Sequence, residues 1–72
     1  MKNVEMSLVN IESLPKLMHD YLECYLVVRG TAVAEVDGRE YPMGEDDMII
    51  IPPEDTYGIL GNGDNMIAHC RV

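Results

Sequence analysis

The chain has no phenylalanine and no tryptophan, and its only aromatic residues besides histidine are Tyr21, Tyr25, Tyr41 and Tyr57. With the usual bulky core fillers missing, those tyrosines and six methionines must supply the volume. Positive charge is equally scarce. Five Lys and Arg stand against 13 Asp and Glu, a formal net charge of −8. The cations (Lys2, Lys16, Arg29, Arg39, Arg71) are scattered, so no basic stripe hides within the acidic total. Such a surface repels phosphate backbones and anionic lipid, which argues against direct nucleic-acid binding by this chain. No apolar run approaches the roughly 20 residues that span a bilayer, so no membrane segment is expected. Met1-Lys2-Asn3 leads into mixed residues rather than the apolar core of a signal peptide. Cys24 and Cys70 permit one disulfide at most, and free thiols in a reducing cytoplasm are the expectation.

Seventy-two residues make one domain, residues 1–72, with a thin core. A chain of this size buries only about 60% of its unfolded surface. Small folds of this kind usually lean on a staple or a partner, and a homodimer is expected here. Apolar residues make up 47% of the sequence and fall in strand-length blocks. Residues 4–9 read as a first strand, and residues 1–13 as an N-terminal arm or edge strand. Pro15 marks a connection. Leu22 to Val28 and Thr31 to Val36 read as strands, and Asp37-Gly38 is a hairpin signal that leads into Arg39 to Met43. Met48-Ile49-Ile50-Ile51, closed by Pro52-Pro53, suits a buried strand. Gly58 and Gly61-Asn62-Gly63-Asp64 punctuate a turn, and residues 65–72 form the last strand. Without sustained helical periodicity, the pattern predicts an all-β antiparallel sandwich or barrel.

These elements carry a resemblance to a known family. His19, Glu23 and Gly30 have the spacing of the first half of the cupin signature. Pro52, behind its apolar run, is similar to the proline turn of the second half. The hairpin Val36-Asp37-Gly38-Arg39-Glu40-Tyr41 resembles the link between the halves. The likeness covers about residues 18–72 and implies a small double-stranded β-helix, a jelly-roll barrel of antiparallel strands. The departures are informative. The first histidine of the usual pair falls on Leu17, and the last ligand histidine falls on Tyr57. Two family glycines fall on Asp46 and Glu54. Two of four metal ligands remain, so neither a metal nor another cofactor is expected.

A narrower resemblance is to the N-terminal sensor domain of AraC-type transcription regulators, carried by the segments 19–23, 25–30 and 64–68. In that group the ion cage is often eroded, and the barrel binds an effector such as a sugar and contributes to dimerisation. The likeness implies a sensing and dimerising module without its DNA-binding half, and the last strand running to Val72 reads as a chain cut short.

The candidate ligand-binding residues are His19, Glu23, Tyr25 and Tyr57, and the expected ligand is small and polar, such as a sugar. Glu23, Tyr25 and Val27 share one strand face; Leu22, Cys24, Leu26 and Val28 share the other, which meets a second sheet or a partner chain. An unpaired buried carboxylate is costly, so Glu23 on an apolar face points to ligand contact or to a structural hydrogen bond. His19 and Glu23 form either a catalytic pair or a polar lip at the barrel mouth. His69 is a further nitrogen only if its side chain points inward. The alternative function is a stand-alone cupin metalloenzyme of the isomerase or dioxygenase type, its metal held by His19, Glu23 and one further group. The acidic turns at 45–47 and 54–55 lack the alternating oxygen spacing of an EF-hand loop and read as solvated surface.

Overall fold

The computed structural model describes residues 5–71. They form eight strands and, among the described residues, no helix, hence none long and apolar enough to cross a membrane. In chain order the strands are β1 (Glu5–Val9), β2 (Ser13–Leu17), β3 (Glu23–Arg29), β4 (Ala32–Val36), β5 (Arg39–Met43), β6 (Met48–Ile51), β7 (Tyr57–Leu60) and β8 (Met66–Arg71). They build two four-stranded antiparallel sheets. Sheet A runs β1-β8-β3-β6 and sheet B runs β2-β7-β4-β5. The all-β jelly-roll expected from the sequence is the fold observed.

Alternation puts one side of each strand into the space between the sheets. From β3 these are Glu23, Tyr25 and Val27, all buried. Tyr25 and Val27 meet Ala32 and Ala34 of β4, Ile51 of β6, Tyr57 and Ile59 of β7, and Ile67 of β8 in one cluster. The β4–β5 hairpin turns on Asp37 and Gly38, both at positive φ (50° and 84°), as a two-residue turn of this kind needs. Asp37 also pins the neighbouring loop: its N–H donates to Thr56 O at 2.9 Å, and its Oδ1 accepts from Thr56 N–H at 3.2 Å.

Asn65 ties three connections together. It is fully buried; its Nδ2 donates to Ile11 O (2.9 Å) and Thr31 O (3.1 Å), while its Oδ1 accepts from Ile11 N–H (2.8 Å). Gly30, at φ 85°, lets this knot close, because a Cβ there would stand 2.7 Å from Asp64 O.

Three details differ from the sequence reading. Pro15 lies inside β2 rather than in a connection. β2 is an edge strand whose register shifts between Leu14 and Leu17, the kind of place where a residue without an N–H is tolerated. Gly58 lies inside β7, opposite Glu35 of β4, and not in a turn. Asn65 precedes the last strand, its polar side chain consumed by the knot. Of the segment 1–13, residues 1–4 lie outside the described residues, Glu5–Val9 form the edge strand of sheet A, and Ile11 is buried in the core.

Asp46 and Glu54, where the cupin signature carries glycine, both sit at φ 71°. The backbone keeps the left-handed turn although the residue that adopts it without cost has been replaced.

Candidate functional site

The site is built at the level of β3 where both sheets contribute polar side chains. Glu23 opens β3 on the inward face and is only 2% exposed. Its register partner on β8 is Arg71, and the next rung pairs Tyr25 with His69. His69 therefore points inward, where its Nε2 meets Glu23 Oε1 at 2.8 Å and its ring stacks on Tyr25 (centroids 4.5 Å apart, planes 2° from parallel). From sheet B, β7 brings Tyr57, whose hydroxyl hydrogen-bonds that of Tyr25 at 3.2 Å.

His19 comes from the connection between β2 and β3, held where its carbonyl accepts the Glu54 N–H at 2.6 Å. Its ring stacks on Tyr21 at 4.7 Å and tilts against Tyr57 at 6.1 Å. Arg71 Nη1 donates to the Tyr21 hydroxyl at 3.2 Å, with the guanidinium 5.3 Å above that ring. The result is a continuous arc of rings, Tyr21–His19–Tyr57–Tyr25–His69, closed by Arg71 at one end and by Glu23 at the other. This arc and the segment from Val9 to Leu14 line a cavity of about 500 Å³.

Two electrostatic features define what the cavity can do. Burial pushes the Tyr25 phenol up to about 12 from its ordinary 10.0, against the pull of its hydrogen bond to Tyr57. Tyr57 is driven up as well, by burial first and then by Glu23 and Tyr25 beside it. Both hydroxyls stay protonated at neutral pH; one donates to the other, which leaves one proton for a further acceptor. Glu23, by contrast, has one oxygen in use and one idle. Oε2 is buried and has no hydrogen-bond partner among the described residues. A buried acceptor left unpaired costs about 1–3 kcal/mol, and more when it is charged.

All four residues expected from the sequence, His19, Glu23, Tyr25 and Tyr57, line this one cavity. Sequence reading left His69 conditional on its orientation and passed over Tyr21 and Arg71. Period-two alternation puts His69 on the same face as buried Ile67, but only the β3–β8 register places it beside Glu23. Cys24 and Cys70 are free thiols directly opposite one another across the same two strands, on the outer face.

A family model described as "Cupin domain" matches residues 5–70. No curated protein matches the chain. Among solved structures, a cupin superfamily protein from Desulfitobacterium hafniense superposes with a TM-score of 0.86 at 21% identity, over 100% of this chain and 69% of that one. KdgF from Halomonas sp. gives 0.85 at 14% identity, over 94% and 68%. The cupin domain of Cnp3 from Schizosaccharomyces pombe gives 0.86 at 15% identity, over 96% and 55%. At these identities the structures speak for the fold, and they carry the AraC-type likeness no further.

A cupin ion cage needs three or four nitrogen and oxygen donors converging on one point. Among the described residues no three His, Cys, Asp or Glu side chains come together in that way. Glu23 Oε1 is engaged by His69, and His19 is stacked against Tyr21. Leu17 and Tyr57 stand where the family's other ligands fall. The residues present do not fit a cupin metal centre.

Proposed function

The chain belongs to the cupin domain family, and from that premise we propose that its barrel is a binding site for a small, polar, hydroxyl-bearing molecule of the sugar or polyol type. The observation that carries this reading is the idle Oε2 of buried Glu23. A ligand hydroxyl meets both needs of the site, donating to Oε2 and accepting from the phenols of Tyr25 or Tyr57. The flat faces of the tyrosine and histidine rings offer apolar walls for the carbon side of such a molecule, the mixture typical of small-molecule pockets. In its finer form the proposal is a sensor of the AraC type. The eroded ion cage supports that form, and the cavity wall formed by the segment from Val9 to Leu14 supplies the element through which occupancy would be read out.

The test is a thermal-shift screen of monosaccharides and polyols against the native protein and Glu23→Gln. A binder present at 100 times its Kd stabilises by about 2.7 kcal/mol. One chemical class should shift the native melting curve and leave Glu23→Gln much less affected. A panel in which no compound stabilises, or in which the variant responds as strongly as the native chain, would refute the proposal.

A further inference from the structure

Cys24 and Cys70 are the only two cysteines of the chain, and the β3–β8 register sets them directly opposite one another. Facing residues of an antiparallel pair have Cα atoms about 4.5–5.5 Å apart and side chains on the same side of the sheet. A disulfide spans Cα atoms about 4.4–6.8 Å apart, so this pair can close without moving the backbone. The two thiols already act on each other. The Cys24 thiol is pushed up from its ordinary 9.0 by burial first, and then by the charge and hydrogen bonding of Cys70. Both thiols are free and half-buried, on an outward rung of sheet A whose other members are Met6 and Ile50. Neither of those neighbours is charged, and neither offers a group that competes for a thiol.

We propose that Cys24 and Cys70 form a reversible disulfide within one chain, a redox-controlled staple between the two central strands of sheet A. The oxidant is a low-molecular-weight disulfide of the glutathione type. The thiolate of one cysteine attacks a sulfur of this reagent, which forms a mixed disulfide and expels one small thiolate. The second cysteine loses its proton to solvent and attacks the protein sulfur of the mixed disulfide, expelling the other small thiolate. Two protein thiols are thereby oxidised to one disulfide, and one reagent disulfide is reduced to two thiols. Because Cys24 holds its proton more tightly than an ordinary thiol, closure should quicken as pH rises.

The staple closes a loop that contains β4, β5, β6 and β7, so it restricts most of the unfolded chain. A 72-residue chain with a thin core is the kind of fold that gains most from such a link. The bond would also fix the strand register that the cavity depends on. Cys24 lies between Glu23 and Tyr25, and Cys70 between His69 and Arg71, the inward-facing pairs of the same two strands. The inference is independent of what the cavity binds.

Equilibration of the native chain in glutathione redox buffers, quenched by alkylation and read by mass spectrometry, tests it. Each closed chain should lose one hydrogen from each thiol, take up no alkyl group, and run as a single chain of 8.1 kDa on a non-reducing gel. Its melting temperature should exceed that of the reduced chain by roughly 10 °C or more. Cys24→Ser and Cys70→Ser, each close to isosteric, should separately abolish both the mass loss and the melting shift while keeping the circular-dichroism spectrum of the reduced chain. Thiols that stay open in fully oxidised glutathione would overturn the proposal. So would a mixed disulfide that does not resolve, a link between two chains, or a closed form that melts no higher than the reduced one.

Discussion

Replacing Glu23 with glutamine makes the ligand-free protein more stable if Oε2 is held ready for a ligand. Glutamine has nearly the same shape, and its carbonyl can keep the contact that Oε1 makes with His69 at 2.8 Å. At the Oε2 position an uncharged amide replaces a buried acceptor with no partner. An orphaned buried group costs about 1–3 kcal/mol, and part of that remains because an amide is still polar. The expected net gain is about 1 kcal/mol, which for a domain of this size raises the melting temperature by about 4–8 °C. Urea unfolding at neutral pH, followed by circular dichroism, measures it through the midpoint at constant slope. The same variant should bind the ligand about ten- to a hundredfold more weakly, since a hydrogen bond to a charged group contributes about 1.5–3 kcal/mol. A site that costs stability while empty has this signature. If Glu23→Gln instead destabilises the chain by 1 kcal/mol or more, the carboxylate is a structural element and the reasoning fails.

Three further outcomes follow from other parts of the molecule. Asn65→Ala strands the buried Ile11 N–H, while Ile11 O keeps the Gly63 N–H at 3.1 Å; the loss of about 1–3 kcal/mol should lower the calorimetric melting temperature by about 4–8 °C for each kcal/mol. Glu54→Gly relieves a left-handed residue at φ 71° that costs about 1–2 kcal/mol, offset by about 0.5–1 kcal/mol of backbone entropy, so the urea midpoint should rise slightly. Alkaline pH should unfold the protein in a defined window. Tyr25 ionises near 10.0 when unfolded but at about 12 when folded, so its contribution is intact below pH 10 and drains away toward pH 12, with Tyr57 acting in the same direction. Phenolate absorbance recorded alongside circular dichroism should show part of the tyrosine titration arriving together with unfolding.

What could be read from the sequence followed from local rules. Alternation along 23–27 and the Asp37-Gly38 turn located β3, β4 and β5, and the apolar run before Pro52 located β6. β2 and β7 were hidden because Pro15 and Gly58 are poor strand residues by propensity. Each is accommodated by its place in sheet B, Pro15 on an edge at a register shift and Gly58 packed opposite Glu35. The four expected site residues do share a cavity, since strand faces and the motif spacing fix which way they point. His69 and Asn65 were less legible for a different reason: each acts across more than 40 residues of sequence, on Glu23 and Ile11, through contacts that only the strand register defines.

The most direct test of the binding site is a two-dimensional amide NMR titration of labelled protein with the sugar or polyol selected by the thermal screen. The account predicts saturable shifts concentrated at Glu23, Tyr25, Tyr57 and His69, with the outer rungs of sheet A unmoved. Saturable shifts that gather on any other surface, leaving those four amides in place, would contradict it.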